Sequence, residues 1–177
     1  MVKITLFGLA GTGTSSVGKF LSKKYDLKFN SSGNMFREMA QDNGMSLAEF
    51  GIYCEKNPSV DKELDFKIFK YGQEHEDFIF DSRLAWFTIP DSFKVKLECN
   101  DNERVRRIIE REGGIEKQVL DEMNKREEGN KKRYFEYYEI ENYSDDRHFD
   151  LIIDTTNLTI QQVCSIIAKR GKLENKF

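Results

Sequence analysis

Proline is nearly missing from this chain, with only Pro58 and Pro90 among 177 residues, and no glycine- and serine-rich stretch serves as a linker in its place. Without such punctuation the sequence offers no domain boundary, and residues 1–177 read as one domain with a sizeable core. Cysteine is scarce as well. Cys54, Cys99 and Cys164 lie far apart, are odd in number and form no C-x-x-C pair. That excludes a disulfide framework and points to reduced packing residues in a cytoplasmic protein. Of the two histidines, His75 and His148, neither has neighbours at metal-ligand spacing. No apolar run approaches the roughly 18 residues of a membrane span, and no signal-peptide pattern opens the chain. Neither sign of charge is in excess: 28 Lys and Arg stand against 31 Asp and Glu, for a net charge of -3. Such a balance gives no general drive toward a nucleic-acid polymer or a membrane. The expected partners are small molecules, and the expected state is a monomer.

One further absence carries the most information. Gly8-Leu-Ala-Gly-Thr-Gly-Thr-Ser15 fits the phosphate-loop pattern G-x-x-x-x-G-K-[ST] at Gly8, Gly13 and Ser15, but Thr14 stands where lysine belongs. The flanks suit such a loop. Val2–Phe7 is an apolar, β-favouring run, and Ser16–Tyr25 reads as a helix. A strand, a glycine-rich turn and a helix N-terminus make an anion site, because backbone N–H groups converge there and the helix dipole favours negative charge. Ser15 is placed to offer its hydroxyl to Mg2+. Loss of the lysine removes a cation worth on the order of 3 kcal/mol of barrier in phosphoryl transfer. Either nucleotide is bound without turnover, or other cations serve.

What is present alternates between strand and helix. Strands are expected at Val2–Phe7, Leu27–Asn30, Phe78–Asp81, Phe93–Cys99 and Leu151–Asp154, with helices between them at Asn34–Gln41, Val60–Gln73 and most of 115–138. Ser46 with Glu49, Asn100 with Glu103 and Thr159 with Gln162 have capping-box spacing. The expected fold is α/β, a five-stranded parallel sheet with helices on both faces. Ligands of such sheets sit at the carboxyl ends of the strands. That gathers Gly8–Ser15, Ser31–Asn34 and Asp81–Arg83 along one edge. Helical excursions at about 34–75 and 104–138 are candidate moving parts.

Phe78-Ile-Phe-Asp81 ends a strand on a carboxylate suited to help hold Mg2+. Arg37 and Arg83 stand near the same edge, and a guanidinium suits a phosphate by its fork of parallel donors. Arg104, Arg107 and Arg111 are spaced i, i+3, i+7, with Val105, Ile108 and Ile109 on the opposite face. Arg126, Asn130 and Arg133 fall at i, i+4, i+7. Lys19, one turn into the first helix, is an outside candidate for the missing cation.

Taken together these residues carry a resemblance. Gly8–Ser16 is similar, position for position, to the threonine-type loop of the cytidylate kinases, above all the short archaeal branch of these nucleoside monophosphate kinases. The similarity continues at Ser31-Ser-Gly-Asn-Met-Phe-Arg37, Gly44–Gly51, Ser82-Arg-Leu-Ala85, Arg126-Glu-Glu, Lys132-Arg-Tyr134 and Asp150–Asn157. It implies the phosphate-loop NTPase fold, with an acceptor-binding helical insertion at about 34–75 and a lid at about 104–138. It implies ATP-dependent phosphoryl transfer to CMP or dCMP with Mg2+, held near Ser15 and Asp81. It implies that Gly8, Leu9, Ala10, Gly11, Thr12, Gly13, Thr14, Ser15 and Ser16 cradle the ATP phosphates, with Arg107 and Arg111 as lid arginines. Arg37 and Arg83 then hold the acceptor phosphate, Ser32, Asp61 and Asn130 lie on the acceptor side, and Arg126 and Arg133 close on the transferring group. Asn130 and Asn34 depart from acidic positions of the relatives, and the first bears on base selectivity, since an amide accepts from a cytosine amino group less well than a carboxylate. A catalytically silent nucleotide sensor and a kinase for another small acceptor remain open on the residues alone.

Overall fold

The structure, a computed structural model, describes residues 2–173, apart from the side chains of Leu47, Ala48 and Glu55. Five parallel strands form one sheet in the order β2-β3-β1-β4-β5: β1 (Lys3–Gly8), β2 (Lys28–Ser31), β3 (Phe78–Asp81), β4 (Phe93–Glu98) and β5 (Leu151–Asp154). Period-two alternation assigns the strand side chains to two layers. Ile4, Leu6 and Ile79 meet Val17 and Leu21 of α1 (Thr14–Tyr25) and Val163 and Ile167 of α8 (Ile160–Arg170). Phe78 and Phe80 point the other way, against Met35 of α2 (Ser32–Asp42), Ile68 of α4 (Ser59–Glu74) and Ile89. Each such buried side chain contributes about 1.5–3 kcal/mol. That is enough to fix strand register, and the register places Leu6 beside Asp81 and Ser31 beside Asp81 at the carboxyl edge.

Helix ends follow local chemistry. Ser46 and Glu49 form the reciprocal box that opens α3 (Leu47–Lys56), and Thr159 and Gln162 form the one that opens α8. At Asn100 only half of a box exists. Its side chain accepts from Glu103 N, but the Glu103 carboxylate is taken by Arg106 and Arg107, and Asn100 N donates to Thr156 instead. A single turn, α5 (Ala85–Thr88), has no counterpart in the sequence expectations. Then α6 (Asp101–Glu112) and α7 (Glu116–Tyr138) form a hairpin, joined through Gly113 and packed by Val105, Ile108, Val119 and Met123. Gly129 does not interrupt α7. Among the described residues no helix is long and apolar enough to cross a membrane.

Candidate functional site: an anion cradle ringed by arginines

The loop between β1 and α1 is shaped by what happens to its carbonyls. Leu9 O accepts from Thr12 N and Thr12 Oγ1. Ala10 O accepts from Arg104 Nε at 2.8 Å, and Thr12 O accepts from Thr155 Oγ1 at 3.0 Å. Arg107 Nη1 reaches toward Gly11 O and Thr12 O at 3.4 and 3.5 Å. With these carbonyls taken up, the N–H groups of the turn other than that of Thr12 are left for a ligand. Gly11 and Gly13 make this path possible, with φ of +87° and +98°, where a side chain is strained. No side chain caps α1 at Gly13, so its first-turn donors keep their capacity for an anion.

Facing that cradle is a cavity of about 360 Å3, lined by the loop, Ser31–Gly33, Arg37, Asp81–Arg83, Arg111 and Arg126. Arg37 comes from α2, Arg83 from the chain just past β3, and Arg111 and Arg126 from the α6–α7 hairpin. The four thus meet across the loop from opposite sides. Arg83 Nε is buried with no hydrogen-bond partner. The positive charge of Arg83, followed by burial, pushes the Arg126 guanidinium below its ordinary range. Cations gathered against their mutual repulsion and short of acceptors mark a place for a polyanion.

Asp81 closes the floor. Its Oδ2 accepts from Ser15 Oγ at 2.6 Å. Burial pushes its carboxyl above the ordinary value, while the bonds from Ser15 and Thr14 and the charge of Arg83 act in the opposite sense. Two hard oxygen donors beside an anion cradle fit Mg2+, which is commonly held by one or two protein oxygens with phosphate oxygens and water completing the shell. Among the described residues no group of three His, Cys, Asp or Glu could hold a metal unaided.

A second cavity, of about 640 Å3, adjoins the loop on its other flank, between α6 and residues Thr155–Ile160. Arg107 lines it, but the guanidinium is engaged by Glu103 and by Thr155 O at 2.8 Å. Sequence reasoning missed Thr155–Leu158 as a wall, although the run Asp150–Asn157 was its signal.

Three of the expected residues stand apart from both cavities. Arg133 pairs with Asp61 at 3.2 Å and donates to Asn130 Oδ1 at 3.0 Å, leaving Asn130 Nδ2 buried and unpartnered. Beside them Tyr138 donates to Asp65 at 2.7 Å, so α4 and α7 are joined twice. Lys19 is exposed and lines neither cavity. Arg104 and Arg107 both turn to the loop carbonyls from α6, but Arg104 is the buried one of the two. Arg104 is 4% exposed and lies inward with Val105 and Ile108, because the loop carbonyl and two carboxylates satisfy its donors.

Comparison with known proteins agrees with this geometry. The profile of the cytidylate kinase-like family matches residues 3–157. A cytidylate kinase of Methanosphaera stadtmanae is 37% identical over 173 residues, 98% of each chain. One of Methanococcus aeolicus is 38% identical over 169 residues, covering 93% of this chain and 94% of the relative. Among solved structures, an uncharacterized protein of Eubacterium ventriosum superposes with TM-score 0.74 at 22% identity, over 97% of this chain and 99% of the other. The shikimate kinase of Bacteroides thetaiotaomicron gives 0.65 at 15% identity, over 95% and 97%. At these identities the structural likeness speaks for the phosphate-loop NTPase fold alone.

Proposed function

Because this chain belongs to the cytidylate kinase-like family and is a nucleoside monophosphate kinase, we propose that it transfers the γ-phosphoryl group of ATP to CMP or dCMP. The observation that carries the reading is the ring of Arg37, Arg83, Arg111 and Arg126 around a backbone anion cradle. In the proposed reaction an oxygen of the acceptor 5′-phosphate forms a bond to the γ-phosphorus, and the bond from that phosphorus to the β–γ bridging oxygen breaks. The loop N–H groups from Gly11 to Ser16, apart from that of Thr12, which is given to Leu9 O, hold the ATP phosphates. The donor nucleoside occupies the flanking cavity against Thr155–Leu158. Arg37 and Arg83 hold the acceptor phosphate, with Ser32 beside the nucleoside. Ser15 and Asp81 would hold Mg2+, which when bound supplies charge neutralisation at the β- and γ-oxygens.

No strong base is required, since phosphoryl transfer rests on positioning and on neutralising charge. Arg126 and Arg111 stand in for the lysine that Thr14 does not supply. Residues 1–177 act as one domain in this view, with acceptor helices at about 34–75 and a lid at about 104–138. The lid closes over the bound nucleotides with Asp61, Asn130 and Arg133 on the acceptor side, where α4 and α7 already meet, and water is excluded while the phosphoryl group moves.

The test is an ADP-release assay with ATP and Mg2+ against each common nucleoside monophosphate. The expected profile peaks at CMP and dCMP. A profile peaking at UMP or a purine nucleotide would overturn the acceptor assignment, and Asn130→Asp then shows how far the amide sets it.

A further inference from the structure

We propose that Arg104 is a positioning residue for the transfer step, a strut that ties Arg126 on α7 to the phosphate loop. The inference rests on the reading of Arg126 given above. Arg104 spends its guanidinium on three different segments. Nε donates to Ala10 O in the loop at 2.8 Å, Nη1 to Asp101 at the start of its own helix at 2.8 Å, and Nη2 to Glu127 on α7. Charge-assisted bonds of this kind in a fixed fork hold direction as well as distance.

The loop is pressed onto the same place. A Cβ on Gly11 would meet Arg104 O at 2.7 Å and Arg104 Cα at 2.9 Å, so the backbone of α6 lies directly against the turn that carries Ala10. Ala10 itself packs on the Val105, Ile108, Val119 and Met123 cluster that joins α6 to α7. Loop, α6 and α7 therefore meet at one point, and Arg104 is the polar group at that point.

Arg126 needs such a support. It precedes Glu127 directly, and consecutive helical side chains project about 100° apart. Glu127 thus turns to Arg104 while Arg126 turns into the cavity. There it faces Arg83, whose charge opposes it. Without a phosphate between them the two guanidinium groups push α7 away from the sheet edge. The Glu127–Arg104–Ala10 chain resists that push and holds Arg126 at a fixed offset from the N–H groups that bind ATP. Displacement of a catalytic group by about 1 Å costs as much as 10²-fold in rate.

The experiment is a double-mutant cycle on single-turnover rates with ATP, Mg2+ and the best acceptor. Arg104→Gln and Glu127→Gln are each made alone and combined with Arg126→Ala. Each single variant is expected to lower kcat about tenfold or more, with KM for ATP and acceptor held within about threefold. In the Arg126→Ala background the further loss is expected to shrink to about twofold or less, because the strut then has nothing left to position. Glu127→Gln guards against a folding defect at the more deeply buried Arg104, and its melting curve is read alongside. Equal fractional losses in both backgrounds would overturn the inference, leaving Arg104 a structural residue. Absence of turnover by the wild-type protein with every acceptor would overturn the proposed function and the strut together, which separates the two failures.

Discussion

The molecule holds two populations of arginine, and the difference between them lies in their partners. On α6, Arg104, Arg106 and Arg107 each meet a carboxylate: Asp101 and Glu127, Glu103 and Glu110, and Glu103 respectively. Around the phosphate loop, Arg37, Arg83 and Arg126 meet none among the described residues, and the pairing of Arg111 is with its exposed neighbour Glu112. A paired guanidinium has its field spent locally and acts as a clamp. One held near others of like charge keeps its field for a ligand. The side chain is the same in both groups, so it is the distribution of Asp and Glu that separates a clamp from a binding group.

The largest effect that tests this division is expected at Arg126. Arg126→Ala removes a cation proposed to face the transferring phosphoryl group, and kcat should fall about 10²-fold or more while ATP affinity of the free protein changes little. Single-turnover rates within a few-fold of wild type would dissolve the distinction between the two groups. Next comes Arg83→Lys, which keeps charge and loses the fork. We expect kcat/KM for the acceptor to drop about tenfold, on the order of 1.4 kcal/mol, in steady-state assays that vary the acceptor.

A smaller loss tests the cradle that both populations serve. Gly13→Ala forces a side chain onto a φ of +98°, a cost of about 1–2 kcal/mol for an L-residue. Where the ligand-free loop relaxes off that angle, binding must restore it, and ATP affinity by calorimetry should weaken about fivefold. Undiminished affinity would place the anion elsewhere. Smallest of all is Arg106→Ala, an exposed arginine outside the arginine-ringed cavity that borders the flanking one with its charge taken up by Glu103 and Glu110, and kcat is expected to stay level. Its signature is acid sensitivity. Arg106, with Arg107, holds the Glu103 carboxyl down to about 2 from a usual 4.5. The contribution of that depressed group is complete above its unfolded value and is lost as pH falls through about 2. Thermal melts from pH 5 downward should therefore show a shallower acid loss in Arg106→Ala than in wild type, and the gap should close in high salt. A gap that persists in salt would mean the pair is more than a screened surface contact.

Much of this was legible in the sequence, for reasons that can be named. Strand β3 was bounded correctly because Phe78-Ile-Phe-Asp81 is apolar on both faces and ends on a charge. The boxes at Ser46 and Thr159 were legible because both halves are local. The half-box at Asn100 was not, since Glu103 had stronger donors one turn on, in Arg106 and Arg107. The turn at Ala85–Thr88 is too short to show a period. For the site, chemistry confined to the loop and the adjacent strand ends could be read. The inward turn of Arg104 could not, because it depends on Ala10, 94 residues earlier in the chain, and on Glu127, 23 residues later. The pairing of Asp61 with Arg133 spans 72 residues and was equally out of reach of spacing.

The anion cradle has a consequence for handling the protein. A ring of guanidinium groups assembled against repulsion is an unfavourable element of the ligand-free fold, and any small oxyanion that enters relieves it. Such a ligand binds the folded state and not the unfolded one, so stability rises by RT ln(1 + [L]/Kd). The melting temperature is thus expected to depend on the buffer. Phosphate, sulfate or pyrophosphate in the medium is expected to raise it while occupying the room proposed for the nucleotide phosphates, and a preparation chosen for thermal robustness in such a buffer would then be one already partly inhibited.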